Sequence, residues 1–466
     1  MHDATGSLSR EATDGADPSR RPAAALISER IVLCEPAATV REVARQMAQQ
    51  GASCALVQLG AGGLGIVTDQ DMRVRVVGGD IPIDAAIERA MTAPAFTVPA
   101  AQLGTEVMVE MINRGIRHVP VLSPRGEVLG VVSDVDLLAA ETRTPFVMRR
   151  RIARAAGVDA LVEAARELRP TVVALHDARV APTQLAAIIA AFADAITRRA
   201  IELLTPEQPG LPPITWLATG SMGRGEAFAT SDIDSALAWD GADDDERPRA
   251  LAAQVLAVLA RCGFAADENA ASAAHPLFAR SIGDWRSAIP RWFDRPDDTR
   301  VLIAVAVLAD AHVVCGDGGG ALAELGAANR HPQFLSQLRR LALAHRPPTA
   351  LVREPRTPLD IKQSGFEPIV HLARYLALAT GVRASGTIER LGAAAEAGAI
   401  EPADATTLVE AFELLAELRM GHQLGQLRCG QEPSDLLDPA ELNPLTRRYL
   451  REAFRAIARV QRRVAS

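Results

Sequence analysis

Apolar and polar positions along this chain fall into blocks of two periods, and near the N-terminal end the blocks repeat. Gly65-Ile66-Val67-Thr68-Asp69-Gln70-Asp71 recurs as Gly130-Val131-Val132-Ser133-Asp134-Val135-Asp136. Ahead of each copy lies a stretch of helical spacing that ends in glycine, Val40 to Gly51 and Glu106 to Gly115. A short apolar run follows, Cys54 to Leu59 or His118 to Leu122, and predicts a strand. Turn residues come next, Gly60 and Gly62-Gly63 in one copy and Pro124-Arg125-Gly126 in the other. Each copy therefore reads helix, strand, turn, strand, helix. Two such units of about 60 residues each leave an apolar sheet face uncovered, so they are expected to pack against each other.

Beyond the repeat the period becomes helical from Val147 to Leu204. Leu161, Ala164, Ala165 and Leu168 recur at helix spacing, as do Leu185, Ile188, Ile189, Phe192 and Ile196. Pro170 and Pro182 divide this stretch into at least two helices, read as a linker. Pro206 to Pro213 holds four prolines and a glycine, a boundary loop. Ile214 to Ala218 and Ile233 to Trp239 then read as strands. Val307 to Val314 reads as another, with Asp310 inside it and His312 two positions on, on the same face. The remainder, Thr357 to Ser466, is predominantly helical.

Composition narrows this picture only a little. The 466 residues are 48% apolar and 23% charged, enough for large buried cores. A formal charge of −7, from 50 basic and 57 acidic side chains, argues against a nucleic-acid partner held by bulk positive charge. Cys34, Cys54, Cys262, Cys315 and Cys429 are scattered without a C-x-x-C pair, which implies reduced thiols and a cytoplasmic protein. The most apolar stretch, Val301 to Val314, is broken by Asp310 and is shorter than the roughly 20 residues of a bilayer span. No membrane partner is expected.

The chemistry concentrates after the Ile214–Ala218 strand. Gly220-Ser221-Met222-Gly223-Arg224-Gly225-Glu226 places glycines where the backbone can approach a phosphate, and exposed N–H groups at a helix start attract its charge. Ser221 adds a hydroxyl donor, and Arg224 can lie along a triphosphate. In Ser231-Asp232-Ile233-Asp234 two carboxylates stand two positions apart, on one face of a strand. Such a pair is costly to ionise without a cation between, and Mg²⁺ bridging carboxylates to phosphates is the usual resolution. Asp310, an ionisable group in an apolar strand, calls for a partner such as a metal.

Two resemblances rest on these residues. The paired units, residues 25–142, resemble a CBS-domain tandem through the apolar-[Thr/Ser]-x-x-Asp ending of each copy. That resemblance implies an adenine nucleotide between the repeats, with Thr68 and Ser133 toward phosphate and Asp71 and Asp136 toward ribose. It also implies a homodimer formed through the pair. A competing reading of Thr68 and Ser133 is that they are simple helix N-caps. The G-S-x-G-R-x-E and S-D-x-D set, in fixed order within 15 residues, resembles the DNA polymerase beta nucleotidyltransferase superfamily. More closely it resembles the branch of protein-PII uridylyltransferases and CBS-linked nucleotidyltransferases.

The resemblance implies an NTP substrate, Mg²⁺ on Asp232, Asp234 and Asp310, and a triphosphate held by Gly220, Ser221, Gly223, Arg224 and Lys362. Arg374, Arg390, Arg419 and His422 are further candidates to face the phosphates. The acceptor would be a hydroxyl, carried by a signalling protein in the closest named activity. Trp285 and Trp292 read as packing anchors. The expected architecture is α/β and α multi-domain: tail 1–24, CBS pair 25–142, helical linker 147–205, polymerase-beta-like catalytic core on a small mixed sheet 206–345, and C-terminal helical bundle 346–466. The alternative is a catalytically silent protein that senses adenine nucleotides.

Overall fold

The computed structural model describes residues 21–27, 31–134, 137, 144–266, 271–318, 320–348 and 358–465. Most of the expected tail, and Asp136, lie outside the described residues. The chain divides into two compact units, residues 1–147 with 178–180, and residues 148–177 with 181–466.

The first unit realises the repeat. Strands β1 (Val32–Cys34), β2 (Cys54–Gln58) and β3 (Leu64–Thr68) form one sheet in that order, β1 parallel and β3 antiparallel to β2. Strands β4 (Val98–Pro99), β5 (His118–Leu122) and β6 (Val128–Ser133) repeat the arrangement. Helices α1 (Val40–Gln50) and α2 (Gly104–Arg114) each stop at a left-handed glycine, Gly51 at φ 65° and Gly115 at φ 67°. Glycine there closes the helix without the Cβ penalty and turns the chain into the next strand. Cys54, Leu56 and Val131 are buried together, so side chains from both sheets share a core. The expected tail ends earlier than predicted, because Ala23 is buried and its N–H donates to Gln102 O at 2.7 Å.

In the second unit a four-stranded sheet runs in the order β11 (Ala279–Ser281), β9 (Ser235–Trp239), β7 (Ile214–Ala218), β12 (His312–Cys315). β7 is antiparallel to both neighbours, and β11 is parallel to β9. A separate short pair joins β8 (Asp232–Ile233) to β10 (Ala265–Ala266). The strand expected over 233–239 is thus interrupted at Asp234, where the chain passes from one sheet to the other. Trp285 and Trp292 pack edge to face, centroids 5.9 Å apart, in the core under the sheet, and Trp285 Nε1 donates to Leu237 O.

Two expectations are corrected here. Most of the stretch read as a linker, 148–177 and 181–205, packs within the second compact unit. Within it α3 (Pro182–Leu204) starts at its proline and buries Leu185, Ile188, Ile189, Phe192 and Ile196. A helix apolar around most of its circumference needs cover on most sides, so it cannot serve as a solvated spacer. Asp310 does not lie in a strand either. The apolar run continues as helix α4 (Thr299–Leu308), capped by Asp298, and β12 begins only at His312. An apolar run of that length satisfies helix and strand equally, and here an N-cap aspartate starts a helix. Asp310 occupies the turn between them, fully buried.

The C-terminal helices are α5 (Pro332–Ala344), α6 (Glu367–Thr380), α7 (Thr387–Glu396), α8 (Pro402–Arg428) and α9 (Pro444–Ala465). They pack in the same compact unit as the sheet. Among the described residues no helix is long and apolar enough to cross a membrane.

Candidate active site

A cleft of about 790 Å³ in the second unit collects most of the residues that the sequence singled out. Gly220, Ser221, Arg224, Asp232, Asp234 and Lys362 all line it. β7 ends at Ala218, and the segment Gly220–Gly223 makes one short helical turn at the cleft wall. Gly220 has φ +58°, and a Cβ on it would overlap the Asp234 carboxylate. Only glycine allows that loop and that carboxylate to touch. Thr219 N donates to Asp234 O at 3.0 Å, which fixes the pairing through the backbone. Asp232 faces the cleft partly exposed, and the Lys362 ammonium stands 3.8 Å from its Oδ1.

Gly223 plays a different part from the one expected. It does not line the cleft. A Cβ there would collide with the backbone carbonyl of Asp310 and lie 2.8 Å from Ala218 O. Its role is close packing beneath the loop.

Asp310 departs furthest from expectation. Its two oxygens accept from three guanidinium groups. Arg374 approaches through Nε at 2.9 and 3.0 Å and through Nη2, Arg224 Nη1 lies at 2.6 Å, and Arg390 Nη1 at 2.6 Å. Burial pushes this carboxyl up, but Arg374, Arg224 and Arg390 outweigh it and hold it well below the ordinary carboxylate range. A carboxylate already enclosed by three cations has no oxygen to offer a further cation. In this arrangement Asp310 is a clasp and not a metal ligand.

The same clasp consumes Arg224, expected along the triphosphate. Its Nε donates to Glu226 Oε2 at 2.6 Å and its Nη1 to Asp310, although one edge still reaches the cleft. Glu226 in turn accepts from Thr387 N at 2.6 Å and Thr387 Oγ1 at 3.0 Å, at the start of α7. Arg390 also donates to Ala309 O and Ala384 O. Arg374 and Arg390, read as candidate phosphate contacts, are therefore committed to Asp310.

Arg419 is held as firmly. Its Nε donates to Asp435 Oδ1 at 2.6 Å and its Nη2 to Thr230 Oγ1 at 3.0 Å. Gln423 Nε2 donates to both Thr230 Oγ1 and Asp435 Oδ1, and Gln423 Oε1 accepts from Ala229 N. This network clamps the loop just before Asp232 onto α8. His422 does not line the cleft, and its buried Nε2 has no hydrogen-bond partner among the described residues.

His312 has both ring nitrogens engaged by protein groups. Its Nε2 lies 2.6 Å from Asp194 Oδ2 on α3, and its Nδ1 3.1 Å from Gly223 O. Both partners accept, so the charged imidazolium is the form that satisfies both contacts at once. Burial lowers its pKa, but Asp194 and the Gly223 carbonyl more than offset this and raise it above the ordinary 6.5.

In the first unit Thr68 and Asp71 cap each other. Asp71 N donates to Thr68 Oγ1 at 3.3 Å, and Thr68 N and Oγ1 donate to Asp71 Oδ2 at 2.9 and 2.7 Å. The N-cap reading of Thr68 is correct as geometry. Thr68, Asp71 and Ser133 nonetheless line one cavity of about 970 Å³, with Arg117 paired to Asp134 at 2.6 Å. Asp136 lies outside the described residues.

Three family models match the chain. "Putative nucleotidyltransferase DUF294" covers residues 166–299, "Putative nucleotidyltransferase substrate binding domain" covers 332–466, and the CBS domain covers 23–78 and 84–143. The chain belongs to the CBS-linked DUF294 nucleotidyltransferases. The DUF294 match begins inside the stretch read as a linker, in keeping with the burial of α3. An uncharacterized protein of Methanopyrus kandleri is 28% identical over 113 residues, 24% of this chain and 58% of that protein's length. An uncharacterized conserved protein of Pyrococcus horikoshii has a solved structure with 25% identity, covering 27% of this chain and 95% of its own, at a TM-score of 0.25. A CBS domain protein of Pyrobaculum aerophilum, solved with AMP, is 24% identical over 26% of this chain and 93% of its own, at a TM-score of 0.24.

Proposed function

We propose that this DUF294 domain transfers a nucleoside monophosphate from an NTP to a hydroxyl acceptor and releases pyrophosphate. The observation that carries the reading is the fit of Gly220 against Asp234 at the wall of the cleft. It sets a phosphate-approachable backbone beside a carboxylate, with Ser221, Asp232 and Lys362 around it.

Asp232 and Asp234 suit Mg²⁺: two oxygen ligands, adjacent, in a cleft roomy enough for a triphosphate. When bound there, the cations neutralise charge on the phosphates and favour the ionised acceptor oxygen. Ser221 and the loop N–H groups hold the outer phosphates. Lys362 Nζ, close to Asp232, offsets charge building on the departing pyrophosphate. The acceptor oxygen attacks the α-phosphorus, its proton leaves to solvent or a nearby base, and the bond to the bridging oxygen breaks. Asp310 takes no part in proton transfer. Uridylylation of a signalling protein is the closest activity by resemblance, and an adenine nucleotide in the CBS cavity is the proposed regulator.

Incubation with each α-labelled NTP, Mg²⁺ and a native lysate tests this directly. Label transferred to an acceptor by wild type and not by Asp232→Asn supports it. The commitment of Asp310 favours a second reading, a silent scaffold that senses nucleotides through its CBS pair. No transfer by wild type, with an unchanged Mg·NTP thermal shift in Asp232→Asn, would select that one.

A further inference from the structure

On the wall of the same cleft stands a group that the nucleotidyl-transfer reading does not use. Glu367 and His371 are four positions apart on α6 and so share one face, and both line the cleft. His345, at the end of α5, meets them. Its Nδ1 lies 3.2 Å from Glu367 Oε2, and its ring stacks on that of His371 with centroids 4.3 Å apart. One ligand atom from each of the three lies within 4.8 Å of the others. A tetrahedral ion with bonds of about 2.1 Å separates its ligands by about 3.4 Å, so binding requires the side chains to draw together and the two stacked rings to turn toward one point.

We infer that His345, Glu367 and His371 form a second metal site, built for a nitrogen-seeking divalent ion of the zinc class and distinct from the oxygen-only pair Asp232 and Asp234. Two imidazoles and one carboxylate match that class and not magnesium. Arg374 Nη1 donates to His371 Nδ1 at 3.3 Å, a long contact. Arg374 stays anchored on Asp310 through Nε and Nη2, so an ion at Nδ1 displaces that single contact. Three protein ligands leave a coordination position for water or for an oxygen of whatever the cleft holds.

The site is tested with the full chain stripped by chelator, then given Zn²⁺ alone in millimolar Mg²⁺ and desalted for elemental analysis. Wild type is expected to retain one zinc more than His345→Asn, and Asp232→Asn to retain as much as wild type. Losing a ligand should weaken zinc by more than the roughly 10–100-fold that loss of an outer partner costs. Equal zinc in wild type and His345→Asn, or loss of zinc in Asp232→Asn alone, would overturn the site. The His345 side chain is 34% exposed, so diethylpyrocarbonate labelling of wild type gives a reading without any variant. Zinc is expected to suppress labelling of His345, and undiminished labelling counts against the proposal. Because ion binding alone is read, the result stands apart from whether nucleotidyl transfer is found.

Discussion

At the scale of single residues, the carboxylates of the second unit divide into two kinds with opposite responses to mutation. Asp232 faces the cleft, and Asp232→Asn removes a charge while nearly keeping shape. Transfer is expected to fall about 10²–10³-fold. The melting temperature should hold or rise, since repulsion with Asp234 is relieved, and the thermal shift with Mg·NTP should shrink. Asp310→Asn is expected to do the reverse. It leaves three guanidinium groups around a neutral amide, and breaking such a buried cluster costs about 3–5 kcal/mol. Denaturant titration distinguishes the two, because only Asp310→Asn should move the midpoint strongly down. Since the folded Asp310 pKa lies below its ordinary 3.8, its stabilisation is in place above that value and is lost as pH falls beneath it. Gly220→Ala must both accept a left-handed φ and displace Asp234, so a loss of about 1–3 kcal/mol is expected together with a smaller Mg·NTP shift.

At the scale of elements, His312 ties β12 to α3 and to the phosphate loop at once. Its folded pKa is raised, so the tie is complete below about 6.5 and is lost as pH rises through the higher folded value. Urea midpoints measured from pH 6 to pH 9 should fall in wild type relative to His312→Gln. Parallel curves for the two proteins would show that His312 carries no pH-linked stability. Elements whose meaning is local were legible in the sequence. The glycine that ends α1, the β2–β3 turn and the strand Ile214–Ala218 all stand where the pattern placed them. So does the Gly-Ser loop beside Asp232 and Asp234. What sequence could not supply was long-range partnership. Asp310 looked like a metal ligand because a buried carboxylate needs a cation, and that need is real. The cations came from Arg374 and Arg390, more than 60 positions away, which no local period reveals. The same limit hid the meeting of His345 with Glu367 and His371, and the commitment of Arg419 to Asp435.

At the scale of the whole molecule, the CBS cavity offers the clearest test of regulation. Calorimetry of the full chain with AMP, ADP or ATP is expected to give binding that Asp71→Ala weakens about tenfold, or 1.4 kcal/mol. No heat with any of the three would remove the adenine-nucleotide proposal. Light scattering of the full chain tests the proposed dimer, with a monomer mass at high concentration as the negative result.

The Asp310 clasp has a consequence for how this protein is inherited. One of its arginines belongs to the nucleotidyltransferase segment and two to the segment matched as a substrate-binding domain. A polypeptide ending near residue 345 would keep Asp310 with Arg224 alone, and the other fragment would carry two arginines with no counterion. Each piece alone should be insoluble, and the two produced together should reassemble. Recombination that separates these two segments is therefore expected to break the fold, so they should travel as one heritable piece.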